Sequence, residues 1–332
     1  MRRAGRILLW TGGIVALPLA LAVHLLYAPV PPEPELSARP LTGTVRVRGL
    51  ERSYLVYAPV RRAVSPPLLI VFHGSMGSPA GIRAETGYGF DLLADRDGLV
   101  VAYPQGFEGN WNDCRKTADY PARRLGIDDI GFFEALVARL ESDLGIDPER
   151  VFAAGLSNGG HFVFRLALER PERIAGGAAF AANLPTRDNN ACTAHGPPPP
   201  MAIVNGTSDP INPYEGGLVT LFGFGNRGTV LSALESATYF AGGGAAPRPA
   251  RDRIEPKAAG DPTWVERSVW RTPGRSETML LSVHGGGHVV PQPRYRPRRL
   301  LGRSSSTVDG PAEVWSFFRR QPDRLIAGPG RR

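Results

Sequence analysis

Cysteine and lysine are scarce in this chain: of 332 residues two are cysteine, Cys114 and Cys192, and two are lysine, Lys116 and Lys257. So few cysteines exclude a disulfide-dense mini-protein. The 40 glycines and 32 prolines follow no Gly-X-Y period, which excludes a collagen-like chain. Past the first thirty residues there is no long apolar run, so a polytopic membrane protein is excluded as well. What is present is 42% hydrophobic residues with 5 Trp, 9 Tyr and 14 Phe, too apolar for a disordered chain. A loop-rich globular chain with a substantial core is expected at this length.

The formal charge of +8 is unevenly placed. Residues 1–30 carry three Arg and no acid, and 294–332 carry ten Arg against Asp309, Glu313 and Asp323, while 31–293 hold 26 basic and 28 acidic residues. The basicity belongs to the ends. Positive charge alone is nonspecific, and no nucleic-acid partner is expected. The proline-broken arginines from Arg294 to Arg303 are a candidate contact for anionic lipid or envelope polymer.

Arg2, Arg3 and Arg6 precede an apolar run from Ile7 to about Tyr27, the n-region and h-region of an export signal. Ala20-Leu21-Ala22 offers a cleavage site. The run is also long enough to span a bilayer as an uncleaved anchor, with Pro29–Pro40 as a stiff tether. Both readings place the chain in an oxidising compartment, extracellular or periplasmic. There Cys114 and Cys192 most simply form one disulfide; two isolated buried thiols are the alternative.

Short apolar runs at Leu68–Phe72, Val100–Tyr103, Arg150–Gly155, Ile174–Ala179, Met201–Asn205, Trp264–Trp270 and Thr278–Val283 read as strands. Gly43–Val47 and Arg52–Ala58 read as a hairpin. Helices are predicted over Gly87–Asp95, from Asp129, over Gly159–Glu169, Val230–Phe240 and Ala312–Arg319, with Asp128 or Asp129 as a cap. Strands alternating with helices predict an α/β fold with a mostly parallel central sheet and helices on both faces.

Gly155-Leu156-Ser157-Asn158-Gly159 has the form G-x-S-x-G between an apolar strand and an apolar helix. Such a sharp turn projects its serine, and the helix N-terminus offers amide donors to an anionic intermediate. Ser157 is therefore the candidate nucleophile; a tight turn with a capping serine is the bland alternative. A serine needs a base, and the base an orienting carboxylate. His288, in Gly285-Gly286-Gly287-His288 after a late strand, is the candidate base, ahead of His284. His73, His284 and His288 as metal ligands lack a convincing third and fourth donor. Asp209, in the loop Gly206–Pro210 at a strand end, is the candidate acid, ahead of Asp188, Asp252 and Asp261. An oxyanion hole needs two backbone amides. Asn158 supplies one, and Ser75 or Met76 in the loop His73–Gly77 supplies the other.

Together these residues resemble the α/β-hydrolase fold and, within it, the extracellular polyhydroxybutyrate depolymerase-like and feruloyl esterase-like group. The resemblance covers roughly 45–320. It rests on His73-Gly74-Ser75, Tyr103–Gly106, Trp111–Cys114, Asp128–Phe132, Gly155–Gly160, Val204–Tyr214 and Gly285–His288, in that order. It implies Ser157, Asp209 and His288 as catalytic residues and Ser75 and Asn158 at the oxyanion positions. It further implies His73 and Trp111 in the substrate pocket and a bridge between Cys114 and Cys192. Val289-Val290-Pro291 stands where many members have an aromatic. True polymer depolymerases usually append a linker and a binding module, none is read after the last core helix here, and soluble oligomers or aryl esters are expected as substrates rather than an insoluble polymer.

The expected organisation is a signal peptide or anchor over 1–28, a proline-rich tether over 29–42, one α/β-hydrolase catalytic domain over 43–320 and a basic tail over 321–332. The expected activity is hydrolysis of hydroxyalkanoate-type esters or oligomers through an acyl-enzyme, by a monomer needing no metal or organic cofactor. Feruloyl or acetyl esters of plant polysaccharide are the alternative. A noncatalytic envelope-attached binding protein is the rival from another class.

Overall fold

The computed structural model describes residues 23–256 and 260–321. Most of the segment expected as a signal peptide or anchor, up to residue 22, and of the expected basic tail, from 322, lies outside the described residues. Among the described residues no helix is long and apolar enough to cross a membrane.

Among the described residues twelve strands run in chain order: β1 (Leu41–Val47), β2 (Leu50–Tyr57), β3 (Leu68–Phe72), β4 (Val100–Pro104), β5 (Val151–Leu156), β6 (Gly176–Phe180), β7 (Met201–Gly206), β8 (Gly217–Leu218), β9 (Thr229–Val230), β10 (Ala250–Ile254), β11 (Trp264–Trp270) and β12 (Thr278–His284). Among the described residues ten of them form one sheet in the order β1-β2-β4-β3-β5-β6-β7-β12-β11-β10, and β8 pairs only with β9. The centre, from β4 to β12, is parallel; the edges are antiparallel. Strands β3 to β7 are almost wholly apolar and buried, as a sheet covered on both faces requires.

The helices are α1 (Pro79–Glu85), α2 (Gly89–Asp97), α3 (Pro121–Arg124), α4 (Asp129–Leu144), α5 (Asn158–Glu169), α6 (Ala233–Ala241) and α7 (Gly310–Arg319). α4, α5 and α6 bury their apolar faces on one side of the sheet. α1, α2 and α7 cover the other. Asp128 caps α4, its Oδ1 accepting from Gly131 N at 2.8 Å, while Asp129 is buried and pairs with Arg52 at 2.7 Å.

Several boundaries depart from the sequence reading. The helix expected over Gly87–Asp95 is α2, set two residues later behind Tyr88 at φ 54°, and it is preceded by a helix that was not expected, α1, which Ser78 caps through Gly81 N at 3.1 Å. The helix expected from Val230 begins at Ala233, because Ser232 and Glu235 close a capping box and Val230 belongs to β9. Asp252, one of the alternative acids, is exposed on edge strand β10, 3.7 Å from Arg267, a strand the sequence reading did not expect. The segment expected as a tether is pinned to the body, with Glu33 on Arg83 at 2.6 Å and Ser37 N on Asp95 at 2.9 Å.

Because β3, β5, β6, β7 and β12 run in register (Phe72 beside Gly155, Leu156 beside Phe180, Val283 beside Gly206), their C-terminal loops meet at one end of the sheet. The order of strands reverses direction around β3, the place where such sheets open a crevice.

Candidate active site

Ser157 sits between β5 and α5 at φ 54°, ψ −117°. A non-glycine residue held there costs about 1–3 kcal/mol and persists only where its surroundings impose it. The glycines of the motif explain the imposition. A Cβ on Gly159 would lie 2.3 Å from the carbonyl oxygen of Phe72, and one on Gly155 would lie 2.4 Å from the Gly159 carbonyl. The elbow therefore closes only with hydrogen at both positions. Ser157 N donates to Phe180 O at 2.8 Å, which ties the turn to β6.

His288 and Asp209 come from the loops after β12 and β7. His288 Nδ1 donates to Asp209 Oδ2 at 2.7 Å, since an ionised carboxylate can only accept, and this leaves Nε2 with its lone pair. The Asp209 side chain is fully buried, and its other oxygen accepts from Ile211 N and Asn212 N at 2.8 Å each. The turn before Pro210 and the bond to His288 thus use different oxygens of one carboxylate. The two loops are laced together by Ser208 N on Gly286 O at 2.9 Å and Gly285 N on Thr207 Oγ1 at 3.0 Å. Gly206 and Gly286 are in backbone contact: a Cβ on Gly206 would meet Gly286 O at 2.3 Å.

Ser157 and His288 line one cavity of about 530 Å³, with Gly74, Ser75 and Met76 from the loop after β3. Ser75 Oγ donates to Tyr120 Oη at 2.9 Å. Asn158 opens α5 with its backbone N–H in the first turn and its side chain wholly buried. Its Oδ1 accepts from Trp111 N at 2.7 Å, and its Nδ2 donates to Trp111 O at 3.0 Å and to Asp113 Oδ2 at 2.7 Å.

The placement of His73 and Trp111 corrects the expected pocket. Both are fully buried and neither lines the cavity. Trp111 packs among Phe72, Phe132 and Phe162 and donates Nε1–H to His73 O at 2.9 Å. His73 donates from Nδ1 to Gly74 O at 2.7 Å and accepts at Nε2 from Gly106 N at 2.9 Å. Burial pushes its pKa down to about 4, which keeps it neutral. These two residues brace the loops beneath the site and cannot touch substrate. The motif Trp111–Cys114 is scaffolding throughout: Asn112 N donates to Asp129 Oδ2 at 2.7 Å, Asp113 pairs with Arg115 at 2.6 Å, and Cys114 is bridged to Cys192.

The other candidates stand apart. His284 stacks on Trp264 at 3.6 Å between centroids, outside the cavity. Asp261 accepts from Thr263 and Ser306 and staples two loops. Asp188 lies in a short 3₁₀ turn. No cluster of three metal-binding side chains exists among the described residues. Among the cavity-lining groups that sequence reading missed are Glu85, Arg115, Tyr120, His161 and Arg227. Burial raises the Glu85 pKa to about 7. Burial first, then the charge of Arg115, holds the His161 pKa well below the usual imidazole value, and its Nδ1 has no partner among the described residues. A cavity wall drawn from several loops and two helices has no local sequence signature, although His161, four residues after Ser157, shares the helix face of the elbow.

Sheet order, elbow and converging loops define the α/β-hydrolase class. No sequence-family model matches the chain. Over 306 residues it is 31% identical to a protein described as "Putative esterase NocK" from Nocardia uniformis subsp. tsuyamanensis, covering 88% of this chain and 87% of that one. The chain belongs to this esterase family and is a carboxylic-ester hydrolase. It is also 24% identical over 239 residues to "Probable feruloyl esterase C" of Aspergillus niger, 72% of this chain and 71% of that one. Among solved structures, the acetyl xylan esterase from Aspergillus awamori superposes with a TM-score of 0.52 at 18% identity over 76% of this chain and 95% of that one, a likeness of fold.

Proposed function

We propose that Ser157, His288 and Asp209 are the catalytic triad of this esterase and that the amides of Asn158 and the Ser75 loop form its oxyanion hole. The observation that carries the reading is the Asp209–His288 bond at 2.7 Å, which orients a histidine that lines the same cavity as Ser157 on its strained elbow. Ser157 Oγ attacks the ester carbonyl while His288 Nε2 takes its proton, Asp209 holds the tautomer, and the two amides receive the oxyanion. The protonated His288 gives its proton to the leaving alcohol. Water, activated by the same nitrogen, then releases the acid from the acyl-enzyme.

The substrate is an ester of an aliphatic hydroxy acid, of the hydroxyalkanoate kind. The cavity wall carries aliphatic side chains beside the polar and aromatic ones, among them Val219, Leu221, Val289, Val290 and Leu301, which suit an aliphatic acyl chain. Feruloyl or acetyl esters of polysaccharide are the second reading, carried by the names of the Aspergillus relatives. The bridged cysteines support action in an oxidising compartment, and we take the protein to act as a monomer. A fluorophosphonate probe is expected to label the folded protein at Ser157 and to leave S157A unlabelled. Rates on hydroxybutyrate-oligomer, ferulate and acetate esters decide between the substrates. A folded, bridged protein that takes no label refutes the triad.

A further inference from the structure

Two guanidinium groups lie over the ring of Tyr120, Arg115 at 5.6 Å and Arg227 at 5.5 Å from its centroid, and all three side chains line the catalytic cavity. The two arginines differ in counter-charge. Arg115 is buried and gives Nε and Nη2 to Asp113, with Nη2 on Oδ2 at 2.6 Å, so its charge is neutralised in place. Arg227 is half-buried, forms no ion pair among the described residues and donates no side-chain hydrogen bond among them. Its backbone is fixed, with N donating to Val219 O at 3.0 Å and O accepting from Asn189 Nδ2 at 3.3 Å. The guanidinium is thus aimed by its own main chain and by Tyr120. Among the described residues the one carboxylate in the cavity lining is Glu85, which forms no ion pair with Arg227 and lies within electrostatic reach of Arg298 and His288.

We propose that Arg227, stacked on Tyr120, is a specificity-determining residue that binds a carboxylate carried by the ester substrate. The proposal rests on the cavity being the catalytic one. A half-desolvated guanidinium without a counter-ion gains most from a planar anion that accepts two parallel N–H bonds, and such charge-assisted pairs are about twice as strong as neutral ones. The cation–π contact holds the plane in place before the anion arrives. A hydroxyalkanoate oligomer ends in a free carboxylate on its alcohol-side unit. Acetyl and feruloyl esters of sugars offer none on either side of the bond. Arg227 thereby separates the two substrate readings by charge.

The test compares matched esters that differ in one charge. With the carboxylate on the alcohol side the pair is 3-acetoxybutyrate and its ethyl ester; on the acyl side it is the 4-nitrophenyl half-ester of glutaric acid and 4-nitrophenyl pentanoate. The readout is the ratio of kcat/KM for anionic over neutral ester in wild type, R227K and R227M, with R227Q as a second neutral variant should R227M not fold. In one of the pairs R227M is expected to lower the ratio roughly ten- to a hundredfold, with R227K between. Which pair responds tells on which side of the scissile bond the carboxylate sits. An unchanged ratio in both pairs overturns the proposal. A binding arm is independent of turnover: calorimetry of 3-hydroxybutyrate and glutarate with S157A and S157A/R227M. Binding lost with Arg227 supports the subsite even if no ester is hydrolysed and no probe attaches, which would refute the triad alone. Binding that survives R227M in that background overturns the subsite while leaving the triad standing.

Discussion

Replacing Asp113 by asparagine is isosteric, yet it should be among the most damaging single changes in the molecule. The Asp113 carboxylate is wholly buried and accepts five hydrogen bonds: from Arg115 N at 2.8 Å, Arg115 Nε at 3.1 and 3.2 Å, Arg115 Nη2 at 2.6 Å, and Asn158 Nδ2 at 2.7 Å. Every partner is a donor, so the introduced side-chain amide points its own N–H at another N–H whichever way it is flipped. The change also leaves the Arg115 guanidinium buried without its counter-charge. Breaking a buried pair from one side costs about 3–5 kcal/mol, a large part of the ~5–15 kcal/mol of a typical domain. Burial pushes the Asp113 pKa up, but the charge and hydrogen bonds of Arg115 outweigh it and hold the group below the ordinary carboxylate value. A depressed carboxylate stabilises above its unfolded pKa and loses that contribution as pH falls through the folded one. The gap between wild type and D113N should therefore be widest near neutrality and narrow below about pH 4. Urea unfolding across pH, with the disulfide kept intact, measures it. Because Asp113 holds the Asn158 side chain, D113N should also displace the first turn of α5. If the Asn158 amide is an oxyanion donor as proposed, a shift of about an ångström there lowers kcat by around a hundredfold with KM little changed. A D113N protein within about 1 kcal/mol of wild type, or a gap that does not depend on pH, would show that this network is not what holds the elbow.

Other expectations concern single groups. D209N keeps the shape of the site but can hold His288 in the wrong tautomer, so kcat on 4-nitrophenyl acetate should fall by about 10⁴; a loss below tenfold removes Asp209 from the triad. C114S/C192S opens a loop of 78 residues and should lower stability by roughly 4–5 kcal/mol in the chain-entropy account, read as a fall in the urea midpoint. Glu85 keeps its proton in the folded state up to about pH 7 because burial disfavours its charge. The unfolded chain binds fewer protons above the ordinary value, so stability declines as pH rises from about 4.5 through 7. E85Q should be flatter across that window and more stable than wild type at pH 8 by about 1–3 kcal/mol; equal slopes would mean that Glu85 ionises freely.

The strand–elbow–helix around Ser157 was legible because its constraint is local: two glycines four apart admit a backbone contact that no side chain survives. Chain order of strand ends made the meeting of Asp209 with His288 legible in the same way, since a parallel sheet delivers successive C-terminal loops to one edge. The break at Tyr88 was not legible, because a left-handed residue between two short helices leaves no period to read. Strand β10 was hidden for a related reason. An exposed edge strand such as Ala250–Ile254, mostly charged and paired on one side only, has no apolar alternation to betray it.

His73 and Trp111 show a different limit. A family motif marks a position as constrained, and it does not say whether the constraint comes from the substrate or from the scaffold. Here the histidine accepts from Gly106 N, and the indole donates to His73 O beneath the cavity floor. Both are spent on holding main chain, and the polar groups that do line the pocket include Tyr120 and Arg227, which stand in no motif. The same reasoning applies to the C-terminal arginines, which by composition suggested an envelope contact. Arg294 pairs with Asp309 at 2.6 Å, Arg299 donates to His24 Nε2 at 2.6 Å, and Arg298 lines the cavity. A cluster of like charge in sequence is thus divided among separate partners once folded. An interaction with an anionic surface would have to compete with those contacts, so its salt dependence should be shallower than the arginine count implies.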